Sequence, residues 1–230
     1  MEVERLGAGV YAMMSIRLMR LPRLYPILDS ETLTARGIRL ETAAAAFLDG
    51  GAGILQLRHK GHWSRELLEA AKQVACLCSE AGAPLVVNDR ADFALLLDAG
   101  LHVGQDDLSP CDARKLIGPG PILGFSSHNA PQLCAAAGEP VDYVALGPIY
   151  ATASKRNPDP VVGVEEVFRC RALIEKPLVA IGGITRENAP DVLRAGADSV
   201  AVIAGLVSES PSAQSLRQRM EEWQLLVKAV

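Results

Sequence analysis

A single-domain (β/α)8 barrel, the TIM-barrel form of the α/β class, is the architecture this sequence predicts, and three observations predict it. From Leu24 onward, short apolar runs alternate with longer stretches of helical period. Runs such as "PLVVN" and "KPLVAIGG" are apolar at nearly every residue, as strands are when helices cover both faces of a parallel sheet. Eight such units fit into about 200 residues, the lower end of the size range of one such barrel. The competing doubly wound open sheet needs a glycine-rich turn after its first strand, and "YPILDSETLT" contains none.

The first strand, Leu24–Leu28, opens the regular pattern, and the second, Ile54–Arg58, runs out into a polar turn. Ser64 then precedes "RELLEAAKQVACLCSEAG" as an N-cap, and Gly82 ends that helix. The third strand, Pro84–Asn88, ends in Asp89 and Arg90, and the fourth, Gly100–Val103, ends in "GQDD". Strand five, Ile122–Phe125, leads to Ser126 and His128; strand six, Tyr143–Gly147, leads into "PIYATASK". Strand seven, Leu178–Ile181, ends in a Gly-Gly pair, and "TRENAPDVLRAG" then reads as a helix from a threonine cap at Thr185 to Gly196. Strand eight, Ser199–Ala204, stops at Gly205, and a last helix from Ser212 to about Lys228 closes the series.

No linker or low-complexity stretch divides the chain, so one barrel domain is expected over 23–230. Residues 1–22 read as a poorly ordered extension, with Met13 or Met14 as an alternative start. With 23 basic and 27 acidic residues among 230 the net charge is −4, and no Lys/Arg run resembles a nucleic-acid patch. No apolar run approaches the roughly 18 residues of a membrane span. Five scattered cysteines make no disulfide framework, and Cys76 and Cys78 fall on different faces of their helix, which suits a reducing cytoplasm. Neither nucleic acid nor a membrane is therefore an expected partner; the charged strand ends point instead to small phosphorylated molecules, with homo-oligomerisation left open.

In such barrels the active site lies where the strands end. That places Gln56, Arg58 and Lys60, then Asn88, Asp89 and Arg90, then Gly104 to Asp107, Ser126, His128 and the turn up to Lys155 around one mouth. Asp89 and Asp107, from adjacent strands, offer oxygen ligands to a hard divalent ion such as magnesium. Arg58, Lys60 and Lys155 supply a cationic frame for anionic ligands. The bland alternative makes Asp89 and Arg90 a capping and ion-pair arrangement at a helix start. "IGGI", followed by a helix, and the glycine after strand eight suggest a second phosphate seat, because glycines let backbone N–H groups approach a phosphate.

Taken together, "QLRHK", "VNDRADFAL", "LHVGQDD", "GFSSHN", "DYVALGPIYATASK" and "AIGGITRENAPDVLRAGADSVAVI" resemble the thiamine-phosphate synthase family, in order from about Tyr25 to Leu206. The resemblance implies a magnesium-dependent transferase with one Mg2+ per subunit. It would join 4-amino-2-methyl-5-hydroxymethylpyrimidine diphosphate to 4-methyl-5-(2-hydroxyethyl)thiazole phosphate, or its carboxylated form, releasing pyrophosphate. By motif position it implies Asp89 and Asp107 as metal ligands and Gln56, Arg58, Lys60, Asn88, Ser126 and Lys155 as pyrimidine-diphosphate contacts. Of these, Arg58, Lys60, Ser126 and Lys155 would serve catalysis. Thr152 and Ser154 resemble the hydroxyl pair on the thiazole phosphate, with Gly183, Ile203 and Ala204 completing that cradle.

Three positions depart from the commonest pattern: His59 for an acid, Ser154 for a threonine, and Ala204 for a serine. His102 is expected to be packed, His59 and His62 to be solvated, and His128 to lie beside substrate. Trp63 and Trp223 are expected to pack their helices, and Asp106 to cap the next turn. The segment "YATASKRNPDPVVG" is the expected moving lid. Two other readings stand beside the transferase: a thiazole tautomerase paralogue, which needs no metal carboxylates, and a non-catalytic barrel that binds thiamine phosphates.

Overall fold

The computed structural model describes residues 20–152 and 159–230. Most of the N-terminal extension, Ser154, Lys155 and the middle of the expected lid lie outside the described residues. The rest is a closed barrel of eight parallel strands in sequence order: β1 (Leu24–Asp29), β2 (Leu55–Arg58), β3 (Leu85–Asn88), β4 (Gly100–Val103), β5 (Leu123–Ser127), β6 (Tyr143–Leu146), β7 (Leu178–Ile181) and β8 (Ser199–Val202). Closure comes from β8 pairing back onto β1, with Tyr25 beside Ala201. The outer layer holds α1 (Ser30–Ala35), α2 (Leu40–Asp49), α3 (Arg65–Ala81), α4 (Ala91–Leu96), α5 (Pro110–Ile117), α6 (Ala130–Ala137), α7 (Val164–Arg171), α8 (Ala189–Arg194) and α9 (Ala213–Lys228). Among the described residues no helix is long and apolar enough to cross a membrane.

Local chemistry explains the helix ends. The Ser64 hydroxyl accepts from Leu67 N at 3.2 Å at the start of α3, and Gly82 ends it at φ 66°, a left-handed conformation that favours glycine. Ser212 and Ser215 form a reciprocal capping box at the start of α9. The expected helix from Thr185 is shorter: α8 begins at Ala189. Asn188 Oδ1 accepts from Thr185 N at 2.8 Å, so a separate turn precedes the helix and Pro190 enters its first turn. Asp106 does not cap α5 either, since the Ser109 hydroxyl does so by accepting from Asp112 N.

Strand alternation divides the apolar residues into two shells. One faces outward onto the helices and includes Leu55, Leu57, Val87, Leu101, Leu123, Val144 and Leu146. The other fills the bore and includes Tyr25, Ile27, Ile54, Val86, Tyr143, Ala145, Val179 and Ala201. Both tryptophans pack as expected, although Trp63 lies in the loop before α3, stacked on Phe93 at 4.1 Å between centroids. Trp223 is fully buried on α9 and donates Nε1–H to Gly205 O at 3.2 Å. Strand ends differ from expectation by one or two residues. β5 runs on to Ser127 because Ser126 and Ser127 still pair with Ala145 and Leu146. β8 stops at Val202, where a 3-10 turn over Ala204–Leu206 takes over.

Candidate active site

The same alternation that buries the bore residues lifts polar ones into its upper end: Asp29, Arg58, Asn88 and Ser126 each follow a bore residue by two or four positions, and His102 follows Gly100, whose inward side meets Val86. Asp29 and Arg58 are register partners across β1 and β2, and their side chains form an ion pair. With side chains only 5% and 12% exposed, the pair is largely withdrawn from water. Asp29 also accepts from Thr32 N at 2.9 Å and Thr32 Oγ1 at 2.7 Å. Oδ1 is thus occupied by Thr32 while Oδ2 holds the Arg58 guanidinium in place.

Beside this pair lies an acidic cluster. Lys60 Nζ reaches Asp89 Oδ2 at 2.5 Å, while Asp107 Oδ2 accepts from Gly104 N at 2.7 Å. Asp107's carboxyl is pushed above the ordinary carboxylate range, first by burial and then by the neighbouring Asp89 carboxylate; the Gly104 N–H and Lys60 oppose the shift. Asp89 sits at φ 65°, a conformation that aspartate tolerates better than most side chains but that still costs free energy. Arg90 turns away to pair with Asp92 and covers the Phe93 ring, so Asp89 is neither a helix cap nor Arg90's partner. The bland capping reading therefore fails here.

Two adjacent carboxylates with only oxygen donors fit a hard cation such as magnesium. Among the described residues no set of three His, Cys, Asp or Glu side chains stands together. Such an ion would complete its shell with water and ligand phosphate oxygens, as magnesium commonly does. Close by in sequence, the buried Asn88 Nδ2 has no hydrogen-bond partner, and a ligand oxygen would satisfy it.

Across the mouth lies a cavity of about 380 Å³. Its wall includes Thr152, Gly183, Ile203 and Ala204, as the sequence predicts, together with Arg58, His128, Gly182, Thr185 and Gly205. Gly182 and Gly183 stand at φ 100° and 62°, successive positive angles that make a concave row of backbone groups suited to an anion. Neither admits a side chain: a Cβ at Gly182 would lie 2.5 Å from Pro148 Cβ, and one at Gly183 2.7 Å from Tyr150 Cβ. The β6 and β7 loops are joined there by Ile149 N to Ile181 O (2.9 Å) and Tyr150 N to Gly182 O (3.0 Å). His128 Nδ1 meets Gly147 O at 2.7 Å and lies 3.5 Å from Asp159 Oδ2, so His128 stands at the cavity wall. A larger groove of about 750 Å³ runs outside the barrel along α2, α3 and α9, and none of the candidate residues lines it.

Not every predicted contact reaches the mouth. Gln56 is 4% exposed and lies lower in the bore, where its Nε2 meets Tyr25 Oη at 3.3 Å. His59, expected to be solvated, is half-buried: Nδ1 meets Ser30 Oγ at 2.7 Å and Nε2 meets His62 O at 3.2 Å. His62 is exposed as expected. His102 is packed as expected, but it belongs to a hydrogen-bonded chain that also holds Tyr25, Tyr143 and Ser126. Gln105 donates Nε2–H to Ser126 O at 2.5 Å. Sequence reasoning passed over Asp29, Tyr25, Tyr143 and Thr185 as site residues. Polar residues at alternating positions inside otherwise apolar strands were the available signal for the first three.

Burial pulls the His102 imidazole down to about 4. Its charge is thus excluded from the fold at pH values where an unfolded imidazole takes up a proton. The stability this residue allows is complete above about pH 6.5 and falls as pH drops toward 4, by on the order of 2 kcal/mol between pH 7 and pH 5. Urea unfolding at those two pH values, beside the His102→Gln variant, checks this; parallel pH dependences in the two proteins would refute it.

A parallel barrel with a carboxylate and cation cluster on one side of its mouth and a glycine-lined anion cradle on the other defines a barrel enzyme acting on phosphorylated small molecules. Residues 24–206 match the family model described as thiamine monophosphate synthase. The chain is 47% identical over 209 residues to the thiamine-phosphate synthase of Koribacter versatilis (strain Ellin345), covering 89% of this chain and 95% of that protein. It is 41% identical over 197 residues to the one from Chloroflexus aurantiacus, covering 85% and 90%. A solved thiamine phosphate pyrophosphorylase from Pyrococcus furiosus superposes with a TM-score of 0.77 at 29% identity, covering 90% of this chain and 96% of that one. The chain belongs to the thiamine monophosphate synthase family.

Proposed function

We propose that this chain joins 4-amino-2-methyl-5-hydroxymethylpyrimidine diphosphate to 4-methyl-5-(2-hydroxyethyl)thiazole phosphate, giving thiamine phosphate and pyrophosphate. The observation that carries the reading is the pairing of two unlike anion sites across one mouth: Asp89, Asp107 and Lys60 on one side, and the Gly182–Gly183 cradle on the other. The bond from the pyrimidine methylene to the diphosphate oxygen breaks, its electron pair leaves with pyrophosphate, and the thiazole nitrogen lone pair forms the new carbon–nitrogen bond. No side-chain nucleophile is needed.

Asp89 and Asp107 would hold magnesium, which supplies charge neutralisation for the departing diphosphate when bound. Lys60 and the anchored Arg58 guanidinium oppose the same developing charge in a partly closed site, and Lys155 is assigned to that role by its motif position. Asn88 Nδ2 offers a buried donor to the pyrimidine diphosphate, with Ser126 as a further contact, while Gln56 acts from below through Tyr25. Thr152, Ser154, Gly183, Ile203 and Ala204 orient the thiazole phosphate, so the protein's largest contribution is positioning. A thiazole isomerase has no diphosphate to activate and no use for the carboxylate pair. A cytoplasmic setting fits five cysteines that all stand unpaired.

The test is pyrophosphate release from the purified chain. Release is expected only when both substrates and magnesium are present, and EDTA should abolish it. Conversion of a thiazole isomer without metal, and without pyrophosphate, would move the chain to the isomerase reading. Binding of thiamine phosphate with no turnover would make it a binding barrel.

A further inference from the structure

The bore holds an unbroken chain of polar side chains drawn from five strands. Gln56 Nε2 meets Tyr25 Oη at 3.3 Å, Tyr25 Oη meets Tyr143 Oη at 2.8 Å, Tyr143 Oη meets His102 Nδ1 at 2.9 Å, and His102 Nε2 meets Ser126 Oγ at 2.9 Å. Both tyrosines and the histidine are buried, while the far end, Ser126, stands at the half-exposed upper end of β5. The chain has a built floor: a Cβ at Gly124 would collide with the Tyr143 ring and lie 2.5 Å from His102 Nδ1, so only glycine leaves room for it.

Proton counting gives the chain a direction. The Gln56 amide nitrogen can only donate, so Tyr25 Oη accepts from it. Among the described residues, the hydrogen bonds of Tyr25 Oη run to Gln56 and Tyr143 alone, so the Tyr25 proton goes to Tyr143 Oη. Tyr143 then spends its own proton on His102 Nδ1, which must accept. A neutral imidazole that accepts at Nδ1 carries its hydrogen at Nε2 and donates it to Ser126 Oγ. Reversing any step, or protonating both ring nitrogens, leaves one of the two buried tyrosine hydroxyl protons, that of Tyr25 or that of Tyr143, without an acceptor, a cost the forward order avoids.

We infer that Tyr143 and His102 are positioning residues that fix the Ser126 hydroxyl as a hydrogen-bond donor toward the ligand. With its oxygen already accepting from His102, Ser126 turns its single proton away from the chain and into the mouth. The ligand atom it takes is an acceptor: a pyrimidine ring nitrogen or a diphosphate oxygen. This rests on the proposed reaction for the identity of the ligand, but the direction of the chain does not.

The experiment uses the full-length chain labelled with 15N-histidine. Two-bond 1H–15N spectra separate the two neutral tautomers, and His102→Gln assigns the signal. The wild-type His102 is expected as the Nε2–H tautomer. Tyr25→Phe, which leaves the Tyr143 proton on His102, retains it; Tyr143→Phe loses it. In the pyrophosphate assay Tyr143→Phe lowers kcat about tenfold, the scale of one misdirected hydrogen bond, with the KM for thiazole phosphate unchanged. A wild-type Nδ1–H tautomer overturns the inference, and so does a Tyr143→Phe variant with unaltered tautomer and kcat. Should Tyr143→Phe fail to fold, the wild-type and Tyr25→Phe spectra decide the matter. Absence of pyrophosphate release from the unmodified chain overturns the proposed reaction, and the spectra then judge the chain's direction on their own.

Discussion

Replacing Asp89 by asparagine is expected to lower magnesium-dependent pyrophosphate release by on the order of a thousandfold, the scale on which a lost electrostatic stabiliser of a developing charge registers. Asparagine is the informative substitution because it tolerates the φ of 65° that Asp89 adopts, so the loss reports the missing charge and not a refolded turn. Lys60 loses its 2.5 Å partner in the same variant, and the Asp107 carboxyl loses the neighbour that raises it. The residual rate should therefore respond only weakly to added magnesium. Initial rates across a magnesium titration, with thiazole phosphate saturating, make the check. A variant retaining more than about a tenth of the wild-type rate would remove Asp89 from the charge-stabilising set.

The second large effect concerns Arg58. Arg58→Leu leaves the Asp29 carboxylate, only 5% exposed, without its cation, and such an orphaned charge is expected to cost about 3 kcal/mol of folding stability. The two hydrogen bonds from Thr32 keep the cost at the lower end of the range for broken buried pairs. Adding Asp29→Asn should recover most of that stability, because the buried charge is gone, yet restore none of the pyrophosphate release. Urea midpoints of the single and double variants, read beside their rates, separate the two roles. Recovery of activity in the double variant would reduce Arg58 to a structural residue.

Fold and site were legible to different depths. All eight strands were readable because burial on both sides of a parallel sheet leaves near-continuous apolar runs, and β4 and β7 fall on the expected residues. The helix after β7 was misjudged at its start because Asn188 spends its side chain on Thr185 N, a local competition that periodicity does not express. Residues that follow a strand end, such as Asp89, Asp107 and Gly183, were readable from position alone. Asp29 was not: its meaning comes from Arg58 on the neighbouring strand, 29 residues away in sequence. The same holds for Tyr25 and Tyr143, 118 residues apart, which read as apolar strand members until the barrel closes and brings their hydroxyls to 2.8 Å.

The filled bore also governs traffic. Leu21, Ile54, Val86, Ile122 and Val179, with the two tyrosine rings, occupy the barrel's axis beneath the polar residues. Among the described residues the site is a cup with one rim, not a tunnel. Two reactants and two products must then queue at a single doorway. Whichever reactant seats deeper has to arrive first, and the last molecule to leave holds the next round at the threshold.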